Sequence, residues 1–219
     1  MTEKYTHHVP PPCEEDIQLL FVDDDIVVVN KPAGLLSVPG RFVKDCVLKR
    51  LLDIYPDVVV VHRLDLDTSG LMVYARTKHA VSNLNKQFRE RLVKKIYIAD
   101  VYGAMIENQG VIALPIAPDP INRPKQRIDF DLGKKALTKF KCIRRTAKGT
   151  RVELIPVTGR SHQLRIHLAS IHHPILGCDL YAHDEALKAS ERLLLHALSL
   201  EFDHPTRGEK LSFTTELPF

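Results

Sequence analysis

Short apolar runs rich in β-branched residues recur along most of the chain. Residues 17–22 and 26–29 are two such runs, separated only by Asp23-Asp24-Asp25, and this pattern is typical of a β-hairpin. Further runs bounded by Gly, Pro or charged residues predict strands at residues 58–61, 71–75, 96–101, 136–143, 151–157 and 211–215. This many short strands predicts a fold built around a sheet.

Two segments instead carry apolar residues at helical spacing. They lie around residues 79–92 and 164–171, and their apolar positions are Val81, Leu84, Phe88 and Leu92 in one and Leu164, Leu168 and Ile171 in the other. The prediction is therefore an α+β fold with a mostly antiparallel mixed sheet and flanking helices. Residues 17–219 contain neither an internal repeat nor a linker, so we expect them to form one domain.

The first sixteen residues differ from the rest in composition. They contain His7-His8, the run Pro10-Pro11-Pro12 and three consecutive acidic residues at 14–16. Such a composition resists regular packing, so residues 1–16 are expected to form a flexible tail.

Composition and charge narrow the class of protein. The 219-residue chain is 44% hydrophobic, which is enough for a sizeable core. No apolar stretch reaches the roughly 20 residues of a membrane helix, and the N-terminus lacks the apolar segment of a secretion signal, so we expect a cytoplasmic protein. Lys and Arg outnumber Asp and Glu by 31 to 27, and the net charge of +4 fits either an anionic partner or ordinary solubility.

Cysteine and histidine do not predict a metal site. The four cysteines form no C-x-x-C pair, so neither a disulfide framework nor a zinc knuckle is predicted. A metal site could be drawn from several side chains in the last third of the chain: His162, His167, His172, His173, His183, Cys178 and Asp179. His162 and His167 are five residues apart, however, which places their rings on different faces of a helix.

The segment His62-Arg63-Leu64-Asp65-Leu66-Asp67-Thr68-Ser69-Gly70 is a dense polar stretch between two apolar runs. A loop of this kind on a rigid scaffold is a common place for a functional site. From the residues alone, a capped turn with a local Asp–Arg ion pair explains the segment equally well.

The same segment resembles the signature of the RluA-type pseudouridine synthases. Other landmarks of that family follow in order: Asn30-Lys31-Pro32, Lys95-Ile96-Tyr97, Arg123-Pro124-Lys125-Gln126, the run Gly159-Arg160-Ser161-His162-Gln163-Leu164-Arg165-Ile166-His167, and Leu193-Leu194-Leu195-His196-Ala197. Together they cover nearly all of residues 17–219. One departure is Cys178, which follows Gly177 where the family usually has Asp.

The resemblance implies a role for five residues. Asp65 would be the catalytic nucleophile, and Arg63 would help to displace the target base. Tyr97 would stack on the target uracil, and Arg165 would hold the Asp65 carboxylate in its charged form. Leu195 would be an apolar contact in the pocket. Without the family, Tyr97 would be interpreted as a core aromatic and Arg165 as a solvated helix residue.

The resemblance also implies the reaction, which converts a uridine to its C-glycoside isomer in RNA and needs no cofactor. Direct attack on the sugar, addition to the uracil ring and a glycal route with Tyr97 as a base are alternatives, of which we favour the glycal route. The target would be a stem-loop, in the tRNA anticodon loop, in large-subunit ribosomal RNA, or in both. A separate N-terminal RNA-binding domain is not expected, and neither is a dimer.

Two basic clusters could contact the RNA phosphates. Arg123, Lys125 and Arg127 form one in a Pro-containing loop, which we favour, and Lys86 and Arg89 form the other on the first predicted helix, where a solvated face is the alternative. Two rival functions remain, a non-catalytic RNA-binding module and a metal-dependent hydrolase built on the histidines.

Overall fold

The computed structural model describes residues 11–146 and 149–219. The helices are α1 (Val47–Leu52), α2 (Lys78–Glu90), α3 (Gln163–Ser170) and α4 (Asp184–Lys188). The strands are β1 (Gln18–Val22), β2 (Ile26–Lys31), β3 (Val59–Val60), β4 (Ser69–Ala75), β5 (Lys94–Tyr102), β6 (Gln109–Ile112), β7 (Ile116–Pro118), β8 (Gln126–Ile128), β9 (Thr138–Thr146), β10 (Gly149–Pro156), β11 (Leu195–Asp203) and β12 (Lys210–Thr214).

Ten of these strands form one mixed sheet. Its main path runs β1-β2-β4-β11-β5-β10-β9-β6, with β12 beside β11 and β3 beside β4. Every pairing is antiparallel except that of β4 with β11. Strands β7 and β8 form a separate two-stranded sheet. This is the α+β fold with a mostly antiparallel sheet that the sequence predicts.

Side chains alternate across the two faces of the sheet, as the two-residue period of a strand requires. In β2 and β4, Val28 and Val73 pack in a cluster that includes Leu84 of α2. Their neighbours Val29 and Met72 belong to a different cluster, together with residues of α1. Helix α2 therefore covers one face, which we call the α2 face, and the loops before β4 lie on the other.

Glycine at position 70 allows the parallel pairing in the middle of the sheet. Ser69 and Gly70 pair with His196 and Ala197 of β11. A Cβ atom on Gly70 would lie 2.3 Å from the carbonyl oxygen of Ala197, and the φ angle of Gly70 is +116°. Only glycine tolerates this approach, so the motif that ends in Gly70 also fixes where β4 enters the sheet.

The predicted elements are found, and several others were not predicted. The hairpin, the six further strands and both helices all appear, with ends shifted by a few residues. Strands β6, β7, β8 and β11 and the short helices α1 and α4 had no counterpart in the prediction. Within the two described ranges, no helix is long and apolar enough to cross a membrane.

The predicted flexible tail is described only from residue 11. Residues 11–16 form neither helix nor strand, but the carbonyl oxygens of Cys13 and Glu15 accept hydrogen bonds from the Arg50 guanidinium of α1. Residues 1–10 lie outside the described part of the chain, so the boundary after residue 16 stays a prediction.

Candidate active site

A cleft opens at the loop that precedes β4. Its volume is about 600 Å³, within the range of small-molecule sites and large enough for a nucleotide. Most of the lining comes from residues 36–40, 63–67 and 121–125, and α3 with the segments before and after it contributes Ser161, His162, Arg165, Asp179 and Leu180. Asp65 and Arg63, predicted from one polar segment, thus meet residues from three distant parts of the chain.

Buried polar groups hold the backbone on both sides of Asp65. The Ser37 hydroxyl donates to the Leu64 carbonyl at 2.7 Å and accepts from the Leu64 N–H at 3.1 Å. On the other side, the Lys31 ammonium donates to the Leu66 carbonyl at 2.8 Å. The carboxylate of Asp65 between them is 28% exposed and faces the cleft. The loop is therefore fixed before any substrate arrives.

Lys31 is fully buried, which is rare for a lysine. Its Nζ lies 2.8 Å from the Pro32 carbonyl, 2.7 Å from that of Leu35 and 2.8 Å from that of Leu66. Burial lowers the pKa of Lys31 to about 7, against the attraction of Asp67 and other nearby charges. Because only the ammonium form has three N–H donors, the three carbonyls favour the charged state.

Arg165 of α3 is the buried cation of the site, with 3% of its side chain exposed. Its Nη1 lies 4.0 Å from Oδ2 of Asp65, its Nη2 contacts Oδ1 of Asp179 more closely, and its Nε donates to Cys178 Sγ at 3.3 Å. Burial alone would lower the pKa of Arg165, but Cys178 and the two carboxylates outweigh it and raise that pKa. Arg165 is therefore a permanent positive charge shared between two carboxylates.

Tyr97 lies on β5, paired with Leu154 on one side and Ala197 on the other. It is half-buried and packs against the core clusters on both sides of it. Burial raises the pKa of Tyr97, and the charge of Asp65 raises it further. At neutral pH the side chain is thus an aromatic surface with a protonated hydroxyl in the free protein.

Arg63 and Leu195, the other two predicted substrate contacts, differ in their exposure to solvent. Arg63 is exposed and lines the cleft. Leu195 is 3% exposed in the core cluster around Leu154, and it is not among the described residues that line the cleft. The structure therefore brings Arg63 to the cleft and places Leu195 beneath it, in the packing that supports Tyr97.

The two predicted basic clusters differ in their position relative to the cleft. Arg123 and Lys125 line the cleft, whereas Arg127 on β8 forms an ion pair with Asp129 at 2.6 Å. Lys86 and Arg89 are exposed on α2, which packs on the α2 face of the sheet. The cleft thus gathers Arg123 and Lys125 from the favoured cluster, and neither residue of the helical one.

His162 and His167 are engaged in hydrogen bonds. Both ring nitrogens of His167 are used, by the Thr138 hydroxyl at 2.9 Å and the Leu114 carbonyl at 3.0 Å, and His162 Nδ1 lies 2.8 Å from the Tyr181 hydroxyl. Burial lowers the pKa of His162 and of His167. In the described part of the chain, no group of three or more His, Cys, Asp or Glu side chains is arranged to hold a metal ion.

Sequence reasoning missed three residues that shape the site. Asp179 and Tyr181 follow Cys178, at which the sequence departs from the family pattern, and neither was predicted to belong to the active site, yet Asp179 lines the cleft and pairs with Arg165. Asp179 could have been noticed because it follows directly after Cys178, which occupies the position where the family usually has Asp. Lys31 could have been noticed as a lysine at the end of a strand that begins with four apolar residues.

The chain is similar to known proteins over most of its length. The family model described as RNA pseudouridylate synthase matches residues 25–170. The chain is 51% identical to "Dual-specificity RNA pseudouridine synthase RluA" of Vibrio cholerae over 197 residues, which cover 89% of this chain and 80% of that protein. The protein of the same name from Escherichia coli is 47% identical over 212 residues, covering 95% and 97%.

Solved structures give the same result for the fold. A human protein described as RNA Pseudouridylate Synthase Domain Containing 1 superposes with a TM-score of 0.81 at 28% identity, covering 96% of this chain and 87% of its own. The human protein described as RNA Pseudouridylate Synthase Domain Containing 4 superposes with a TM-score of 0.74 at 28% identity, covering 92% of this chain and 88% of its own.

Proposed function

This chain belongs to the RNA pseudouridylate synthase family, and is thus an RNA uridine isomerase; we propose that it modifies uridines in two classes of RNA. The names of its relatives from Vibrio cholerae and Escherichia coli state a dual specificity. The substrates we propose are a stem-loop of tRNA, at the anticodon loop, and a hairpin of large-subunit ribosomal RNA. The chain would act on them as a monomer in the cytoplasm.

We propose Asp65 as the nucleophile. The reaction breaks the bond between N1 of uracil and C1′ of ribose, rotates the base and joins C1′ to C5. The proton leaves C5, N1 ends with a proton, and the product is an isomer of the substrate. Because no redox change occurs, the reaction needs no cofactor. Asp65 can act as a carboxylate without a base to activate it, because Arg165 provides the opposite charge.

Arg63, Arg123 and Lys125, which line the cleft, and Tyr97, which is near Asp65, would bind the extruded nucleotide. A uridine within a stem-loop must leave its stack to reach Asp65, at a cost of a few kcal/mol. Tyr97 would stack on the uracil ring, and the exposed Arg63 would occupy the space that the base vacates. Arg123 and Lys125 would contact the phosphates beside it.

The observation that carries this proposal is the fixed position of Asp65. Its neighbours Leu64 and Leu66 are held by Ser37 and Lys31, and its carboxylate faces the cleft 4.0 Å from a buried arginine. A carboxylate held in this way is suited to covalent chemistry, since little reorganisation is needed when the substrate binds.

The test is tritium release from uridine labelled at C5, because only formation of the new C–C bond expels that atom. A tRNA anticodon stem-loop and a hairpin of large-subunit ribosomal RNA would each be given to the native protein and to Asp65→Asn. This nearly isosteric change should abolish release, by about a thousandfold or more. The matched control is Asp67→Asn, the same substitution two residues away in the same cleft, which should retain release within about tenfold of native.

Each result decides a separate point. Release by Asp65→Asn at the native rate would reject Asp65 as the nucleophile. Release from only one of the two RNAs would reject dual specificity. A native protein that binds both RNAs without releasing tritium would be a binding module, and RNA cleavage abolished by a chelator would indicate a hydrolase.

A further inference from the structure

Tyr181 connects two parts of the cleft wall. It follows α3 in the chain and is half-buried. Its hydroxyl accepts a hydrogen bond from the backbone N–H of Gln126 at 2.7 Å and lies 2.8 Å from His162 Nδ1. Gln126 ends the loop that carries Arg123, and His162 precedes the first residue of α3. One hydroxyl thus joins the loop to the helix.

The ring of Tyr181 contacts Arg165 and His162, two residues that line the cleft. The Arg165 guanidinium carbon lies 5.7 Å from the ring centroid, within the range of a cation–π interaction. The His162 ring meets it edge-on at 5.8 Å. The ring therefore supports Arg165, while the hydroxyl reaches the loop, and a substitution can separate these two contributions.

The direction of the hydrogen bonds follows from the proton state of each group. The Gln126 N–H can only donate, so the Tyr181 oxygen accepts from it. Burial raises the pKa of Tyr181 to about 12, so the phenol keeps its own proton at neutral pH. Burial also lowers the pKa of His162, whose neutral ring can accept that proton at Nδ1. Each of the three groups then has a partner.

The loop of residues 119–125, which we call the basic loop, is otherwise closed on itself. The Asp119 N–H donates to the Lys125 carbonyl at 3.0 Å, and the Lys125 N–H donates to the Asn122 carbonyl at 2.8 Å. The Asp119 carboxylate accepts from the N–H groups of Ile121 and Asn122. These bonds give the loop its shape, but the bond from Gln126 to Tyr181 ties its end to the catalytic part of the cleft.

We propose that Tyr181 is a positioning residue whose hydroxyl holds the basic loop against α3 and thereby sets the affinity for RNA. The bond rearrangement at Asp65 does not depend on that hydroxyl, because it is the ring of Tyr181 that contacts Arg165. This inference rests on the proposed function, in which Arg123 and Lys125 contact the phosphates. It extends that function by naming what places those two cations.

The experiment compares Tyr181→Phe with the native protein. Removing only the hydroxyl should raise KM for the RNA stem-loop by about threefold to tenfold, the cost of a lost hydrogen bond, and leave kcat within about twofold. Amide hydrogen exchange at Gln126, measured without RNA, should accelerate by a similar factor of about three to ten. Tyr181→Leu, which also removes the ring beneath Arg165, should lower kcat as well.

The matched control is Tyr102→Phe, which removes a hydroxyl that contacts Glu185 away from the cleft and should change neither KM nor Gln126 exchange. Unchanged exchange at Gln126 in Tyr181→Phe would overturn the proposal, and so would a fall in kcat at constant KM. If the native protein released no tritium, the proposed function would fail. The exchange at Gln126, measured in free protein, would still decide whether the hydroxyl holds the loop.

Discussion

The loop that carries Asp65 and the basic loop line the same cleft and are held in different ways. Around Asp65, both polar backbone groups of Leu64 bond to Ser37, and the Leu66 carbonyl bonds to the buried Lys31. The basic loop carries its side chains outward, with Ile121 81% exposed, and Gln126 at its end donates a hydrogen bond to the Tyr181 hydroxyl. One loop is fixed by the core, and the other is attached at its end.

This difference matches what each loop is proposed to do. A nucleophile must lie within a fraction of an ångström of its productive position, so its loop gains from rigid support. Phosphate contacts depend on charge over several ångströms and tolerate small movements. We therefore expect substitutions under Asp65 to affect stability and kcat, and substitutions in the basic loop to affect RNA binding.

The largest expected effect is that of Gly70→Ala. The added methyl would lie 2.3 Å from the Ala197 carbonyl oxygen and 2.6 Å from its nitrogen, at a backbone φ of +116°. Strands β4 and β11 would have to separate in the centre of the sheet. We expect a loss of about 4 kcal/mol or more in the free energy of unfolding, measured by urea denaturation, or failure to fold.

Gly208→Ala is the control for backbone strain without a clash. Its φ is also positive, at +70°, but nothing lies within 4 Å of the added Cβ position. It should cost about 1–2 kcal/mol, the strain of the left-handed conformation alone. Equal losses in the two variants would mean that the approach of β4 to β11 adds nothing, and would contradict the role given to Gly70.

Lys31→Met is expected to have the second-largest effect. It keeps an unbranched chain in the cavity but leaves the carbonyls of Pro32, Leu35 and Leu66 without their shared donor. We expect about 3 kcal/mol of destabilisation, because buried acceptors lose their hydrogen bonds. Because Leu66 adjoins Asp65, kcat for tritium release should also fall, by about tenfold or more, with KM nearly unchanged.

Lys49→Met serves as its control, since Lys49 is 55% exposed and pairs with Asp53 on the surface of α1. It should change the free energy of unfolding by less than about 1 kcal/mol and leave kcat unaltered. If Lys31→Met lowered stability while kcat stayed at the native value, Lys31 would support the fold without placing Asp65.

Local sequence patterns explain which elements of the fold could be predicted and which could not. Strands such as β2 and β4 carry strong local patterns, because alternate residues pack on the two faces of the sheet. Asp65 and Arg165 could be named because they lie in motifs that resemble a family. The short strands β7 and β8 have no comparable local pattern, since they form a separate two-stranded sheet.

Contacts between segments that are far apart in the chain could not be predicted from the sequence either. The bond from Lys31 to Leu66 spans 35 residues, and that from Gln126 to Tyr181 spans 55. No spacing rule links such positions, because the fold alone brings them together. Arg127 is a different case, because its partner Asp129 is only two residues away in the chain, and the ion pair engages the charge that was predicted to contact RNA.

The smallest expected effect is on RNA binding by the basic loop. Arg123→Ala and Lys125→Ala should each weaken binding of the stem-loop by about threefold to tenfold, and each should reduce the slope of log K against log salt by roughly one. Neither should change kcat at saturating RNA, because both residues are proposed to contact phosphates and not the reacting base or sugar. Fluorescence anisotropy at several salt concentrations would measure the binding.

Arg127→Ala is the internal comparison, because it removes a cation from the next strand in the chain. Its guanidinium is paired with Asp129 at 2.6 Å, so little free charge would be lost to the RNA. We expect a change in affinity of less than about twofold and an unaltered salt slope. A loss for Arg127→Ala as large as for Arg123→Ala would mean that RNA displaces Asp129 and that the contact surface extends along β8 beyond the cleft.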